Sequence, residues 1–221
     1  IIASIPPSEI GEIALLLHSD ELRDAASLTW VNYLSTPAVY GDRSGGVASE
    51  FDEPTPTSKR GERRLAAERA WIDTFSDTRV SVQIMRIAGI YGPGRSVIEQ
   101  VAAGRARIIE KEGQVFNRIH VDDIGTSLIA SMLRPNDKRI YNLADGNPCA
   151  SGDVTRYACK LLQVEPPTPI KFEDAQLSDM ARSFYSECKI LETSRLRNEL
   201  LVNLRYPSYK EGLRQILQDI N

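Results

Sequence analysis

The segment VSVQIMRIAGIYG, residues 80–92, is dense in Val and Ile and ends at a glycine, the pattern of a buried strand. Upstream, LTWVNYLS (28–35) is a second short apolar run of the same kind. Between them, GDRSGGVASEFDEPTPTS (41–58) is polar, and its Gly and Pro argue against regular structure. It leads into KRGERRLAAERAWIDTFSD (59–77), where Leu65, Ala66, Trp71, Ile72 and Phe75 fall at helical spacing. Strand, loop, long helix and strand in this order predict an α/β fold with a parallel sheet and right-handed crossovers. The same grammar makes IIASIPP (1–7) an earlier strand, EIGEIALLLHSDELRDAA (9–26) its crossover helix, VDDIGTSLIASML (121–133) a helix and KRIYNLAD (138–145) a further strand.

The last third has another texture. Four prolines punctuate residues 163–217, with a short strand expected at 169–172 and helices at 194–201 and 208–217. The expected division is therefore a Rossmann-like part over residues 1–148 and a small mixed α/β lobe over 149–221, interleaved with it. The chain has 221 residues, 42% of them hydrophobic, which is ample for a core plus a lobe. A net charge of −3 argues against coating nucleic acid or anionic lipid. Cys149, Cys159 and Cys188 have neither a C-x-x-C nor a Cys/His spacing, so no disulfide framework and no metal site is expected, and a reducing cytoplasm fits. No run of eighteen apolar residues and no leader pattern is present, so no membrane partner is expected.

Three blocks carry the chemistry: YLSTPAVYGD (33–42), RIAGIYGPG (86–94) and RIHVDDIG (118–125). In this order, and with YNLADG (141–146) and YPSYKEGL (206–213) following, the chain resembles the NAD-dependent epimerase/dehydratase family of the extended short-chain dehydrogenase/reductase superfamily. The resemblance implies a Rossmann-like parallel sheet with helices on both faces, a substrate lobe, NAD or NADP as cofactor, and hydride chemistry on sugar nucleotides or related carbonyls. It places the family's Ser/Thr at Thr36. It places cofactor contacts at Ser4, Ile5, Pro6, Ser35, Ile87, Ala88 and Gly89, and substrate contacts at Arg95, His120 and Tyr185.

The family's proton chemistry uses a Tyr four residues before a Lys, the ammonium favouring the phenolate. Counting back from LAAE (65–68) puts the Tyr position at Arg60 and the Lys position at Arg64. A guanidinium stays protonated at any physiological pH and cannot shuttle that proton. Arg60 and Arg64 are either part of a solvated helix surface paired with Glu62 and Glu68, or a clamp for a phosphate or carboxylate. Tyr40 and His120 are alternative proton carriers whose ordinary roles are structural, with Asp122 or Asp123 expected to cap the next helix. His18 is expected at the surface.

The family's glycine-rich phosphate loop after a first strand is not found in this sequence. If residues 1–7 correspond to the family's fourth strand, the expectation is a longer natural protein with further strands before Ile1. Two functions remain open: an NAD(P)-dependent oxidoreductase or isomerase on a small anionic or sugar-like substrate with a degenerate Tyr/Lys pair, or an inactive dinucleotide-binding protein acting through a protein partner. The resemblance also leaves room for a homodimer built on the helix that holds Trp71 and Phe75, residues equally suited to the core.

Overall fold

Successive side chains of a strand point to opposite faces, so runs that are apolar at nearly every position need both faces covered, and the computed structural model, which describes residues 1–220, covers both. The chain runs β1 (Ile2–Ala3), α1 (Ile13–Asp24), β2 (Trp30–Ser35), a 3-10 turn (Pro37–Tyr40), β3 (Val47–Ala48), α2 (Lys59–Thr74), β4 (Ser81–Ile87), β5 (Gly89–Tyr91) and α3 (Val97–Ala102). It continues with β6 (Ile109–Glu110), β7 (Arg118–His120), α4 (Val121–Leu133), β8 (Arg139–Leu143), α5 (Ser151–Leu162), β9 (Ile170–Lys171), α6 (Asp179–Phe184), β10 (Ile190–Leu191), α7 (Ser194–Asn198) and α8 (Tyr209–Ile220). Strands β1, β2, β4 and β8 lie in that order in one parallel sheet.

On one face, Val31, Tyr33, Val82 and Ile84 pack with Leu15 of α1 and Trp71 of α2. Trp71 stacks between Tyr33 and Phe75, with ring centroids 6.4 and 6.2 Å away. Trp71 and Phe75 are thus core residues. On the other side, Met85, Ile87, Tyr141 and Leu143 join Ile124 and Ala130 of α4 and Leu196 of α7. A polar seam lies beneath α4: Ser131 donates to Gln83 at 2.6 Å and accepts from Asn32 at 3.1 Å, and Trp30 also donates to Gln83. Every added bond there spares a buried polar group the cost of losing water.

The segment 80–92 is not one strand. Ala88 still donates to Leu143, but Gly89 donates to Asn117, and the chain leaves the main sheet to pair β5 with β7. Loop 41–58 likewise contains a strand: β3 pairs with β10 across some 140 residues of chain. A third parallel pair joins β6 to β9. The first strand is shorter than expected, covering Ile2–Ala3 only, and α7 ends at Asn198. The cap of α4 is also different. His120 occupies the N-cap and its Nδ1 accepts from the Asp122 N–H at 3.2 Å, while buried Asp123 accepts from the N–H groups of Arg205 and Tyr206 at 2.7 and 3.0 Å. Asp123 therefore ties the loop before α8 to α4 instead of capping its own helix.

Ser58 caps α2, its side chain accepting from the Gly61 N–H, and the helix presses on the 3-10 turn. A Cβ on Gly61 would stand 2.6 Å from the Ala38 carbonyl oxygen and 2.9 Å from Pro56. Gly61→Ala should accordingly destabilise the protein by about 1–3 kcal/mol, although alanine is the better helix former. Urea unfolding of the variant at or above wild-type stability would refute the close approach. Among the described residues no helix is long and apolar enough to cross a membrane, and the three cysteines are free.

Candidate functional site

Parallel strands end on a common edge, so the chain segments after β1, β2 and β4 meet there, the usual ligand edge of an open α/β sheet. Pro6 and Pro7 follow β1, Thr36 to Ala38 follow β2, and Ile87 ends β4 with Ala88 to Tyr91 after it; all line one cleft of about 950 Å³. Helix α2 adds Arg60, Arg63 and Arg64, and Phe116, Arg118, Ser151, Phe184, Tyr185 and Lys189 also line it.

The charges in this cleft are one-sided. Arg60, Arg63, Arg64, Arg95, Arg118 and Lys189 line it, against a single carboxylate, Glu187, which is bound to Lys189 at 2.6 Å. Arg63 reaches out to exposed Glu9 at 2.6 Å. Arg64 turns into the sheet edge, donating to the Leu34 carbonyl at 2.8 Å and to the Tyr33 hydroxyl at 3.0 Å. Arg118 donates to the carbonyls of Phe116 and Cys149 and to Cys149 Sγ. Arg60 has its guanidinium 5.0 Å over the ring of Phe184 from α6, and neither it nor Arg95 has a side-chain hydrogen bond or ion pair among the described residues. Those two guanidinium groups keep their donors available for a ligand.

The expected pairing of Arg60 and Arg64 with Glu62 and Glu68 does not form. Glu68 is buried and holds buried Arg86 through two bonds, from Nε at 3.1 Å and from a terminal nitrogen at 2.6 Å. Ser35 also donates to Glu68, so its hydroxyl is committed inside the protein and does not line the cleft. The Arg86 guanidinium lies 4.6 Å over the ring of Tyr40. Tyr40 is fully buried and donates to Asn142 at 2.7 Å, and burial raises its phenol pKa, so it is no proton carrier for a substrate. Asn142 in turn donates its backbone N–H to Glu50 at 2.9 Å and its side-chain amide to the Glu192 carbonyl at 3.0 Å. This network joins β2, α2, β4 and β8 to the segment after β10. Its sign in the sequence was an acidic residue on the inner face of α2 and an arginine inside an apolar strand, features that motif matching passes over.

Thr36, Arg60, Arg64, Pro6, Ile87, Ala88, Gly89, Arg95 and Tyr185 are brought together in the cleft. Ser4 and Ile5 are exposed and outside its lining. His120 is buried between Tyr91 and Tyr206, with ring centroids 5.1 and 4.0 Å away, and also lies outside the lining; burial lowers its pKa. Thr36 accepts from the Ala38 N–H at 3.4 Å as the cap of the 3-10 turn, which leaves its own O–H to donate. Of the two phenols on the cleft wall, Tyr91 donates to the Ser208 carbonyl and burial pushes its pKa strongly up. The other, Tyr185, shares a hydrogen bond of 3.2 Å with the Ser151 hydroxyl. Tyr33, behind Arg64, is pushed up to about 12 by burial and stays neutral.

No protein-family model matches the chain. It is 30% identical over 201 residues to Protein YeeZ of Escherichia coli (strain K12), a match that covers 89% of this chain and 67% of that protein. A conserved protein of unknown function from Silicibacter pomeroyi DSS has a structure that superposes with a TM-score of 0.94 at 42% identity, over 99% of this chain and 77% of the other. MoeE5 in complex with UDP-glucuronic acid and NAD superposes with a TM-score of 0.75 at 23% identity, over 99% of this chain and 78% of the other. The chain belongs to the family of Protein YeeZ, and its fold is that of the NAD-dependent epimerase/dehydratases of the short-chain dehydrogenase/reductase superfamily.

Proposed function

We propose that the protein binds a nicotinamide dinucleotide and an anionic, sugar-nucleotide-like substrate together in this cleft and acts on that substrate as an oxidoreductase or isomerase. The observation that carries the reading is the excess of cations: five arginines and a lysine converge against one paired carboxylate. Cations gathered in one cleft with so little opposing charge attract an anionic ligand. The uncharged wall of Pro6, Ile87, Ala88 and Gly89 beside Thr36 fits the nicotinamide end of the cofactor. The sequence carries no glycine-rich loop after an apolar strand, so no residue is assigned to the pyrophosphate. When bound, the cofactor supplies or accepts the hydride.

In this reading Thr36 donates to the substrate oxygen and Arg60 faces the charge that develops there. The phenol that the family carries on α2 is absent, and the phenol available on the cleft wall is Tyr185 with Ser151. The experiment is titration with NAD and NADP, followed by UDP-glucuronic acid and UDP-glucose, with nicotinamide absorbance and product analysis as readouts. Binding of both ligands with turnover is the expected result. Dinucleotide binding with no conversion of any substrate would instead favour an inactive binding protein, the reading that Arg60 in place of the phenol supports. Arg60→Ala should weaken UDP-glucuronic acid about tenfold, or about 1.4 kcal/mol, by calorimetry. Unchanged affinity would remove Arg60 from the ligand contacts.

A further inference from the structure

Asp145, two residues beyond β8, is 6% exposed. One carboxylate oxygen accepts from the Asn147 N–H at 2.9 Å, and the other is buried with no hydrogen-bond partner. A buried polar atom left without a partner calls for an explanation. Its ionisable neighbours come from five parts of the fold: Arg118 on β7, Tyr91 on β5, Asp123 on α4, Glu211 on α8 and Cys149 ahead of α5. Only Arg118 among them is positive, and Asp123 and Glu211 oppose a third carboxylate.

Arg118 spends its hydrogen bonds on Phe116 and Cys149, so it supports the Asp145 carboxylate through space and not by contact. Burial pushes the Asp145 carboxyl up to about 7, with backbone and Arg118 effects opposing. The Asp145 N–H donates to the Arg118 carbonyl at 2.8 Å. Arg118 and Tyr91 both line the cleft, so the carboxyl stands just behind its wall.

Building on the reading of the cleft as an anion site, we propose that Asp145 is the proton-binding group that couples ligand binding to pH. An anion drawn to Arg118 cancels the one positive field that favours the carboxylate, and Asp145 takes up a proton as the ligand binds. The coupling is reciprocal, so rising pH weakens the ligand.

The test is calorimetric titration with UDP-glucuronic acid, whose carboxylate and diphosphate stay ionised between about pH 6 and about pH 9, in buffers of different ionisation enthalpy. At about pH 7.5 the wild type should take up a fraction of a proton, and its affinity should fall several-fold between about pH 6.5 and about pH 8.5, with tenfold per unit as the limit for one proton. Asp145→Asn, or Asp145→Ser should the first variant not fold, should bind without proton uptake and with a flat pH profile. Binding by the wild type without uptake, or uptake retained in the variant, overturns the role of Asp145 while leaving the anion site standing. Failure of the ligand to bind either protein at any pH overturns the anion site and this coupling with it.

Discussion

Arg86→Met is expected to lower stability by about 3–5 kcal/mol, because it leaves the Glu68 carboxylate buried without its partner. In a chain of this length that corresponds to a fall in Tm of roughly 10 °C. The side chains are 1% and 2% exposed, so water cannot replace the lost bonds. Ser35 would still donate to Glu68, but one hydroxyl does not offset a guanidinium that forms two bonds. Combining Arg86→Met with Glu68→Gln should recover part of the loss, since the second change removes the stranded charge. A melting shift below about 2 °C for the single variant would mean that the pair is not the tie between α2 and β4 described above.

The second large effect has the opposite sign. Asp145 holds its proton up to about pH 7 in the folded protein, against an ordinary 3.8, so the folded state binds more protons than the unfolded state between those values. The contribution of this group is whole below the lower value and is lost as pH rises through the upper one. About three units correspond to about 4 kcal/mol at most. Asp145→Asn removes that loss but leaves an amide nitrogen near the unpartnered position, so a gain of about 2–3 kcal/mol at about pH 8 is expected, shrinking towards zero near about pH 4. Urea denaturation of both proteins across this range measures it. Parallel stability curves for wild type and variant would show that Asp145 ionises like a surface carboxylate.

The main sheet was legible in the sequence because β2, β4 and β8 read as short runs rich in apolar residues, with α2 between the first two and α4 ahead of the third. The small parallel pairs were not. Val47–Ala48 sits in a polar, glycine-containing loop and becomes a strand only because Ile190–Leu191 comes to lie beside it. The break at Ala88 is equally invisible locally, since Val80–Gly92 favours extension throughout and the partner of its last residues, β7, is chosen by the tertiary fold. Of the residues that motif order singles out, Thr36, Arg60, Arg95 and Ile87–Gly89 line the cleft. Ser4, Ile5, Ser35, Tyr40 and His120 lie outside its lining, because a motif marks a backbone position, whereas access to a ligand depends on which way the surroundings let the side chain turn. Asp145 escaped notice for a related reason: its environment is assembled from residues 91, 118, 123 and 211.

Every strand pairing described in this protein is parallel, and the β3–β10 pair joins residues 47–48 to residues 190–191. A parallel pair cannot form as a local hairpin; it must wait until the intervening chain has closed on itself. Contacts of such long sequence separation slow folding, and a nascent chain cannot complete them until its last third has left the ribosome. The cleft wall that carries Phe184, Tyr185 and Lys189 is therefore among the last parts to be finished, and until then the cationic helix α2 faces open solvent.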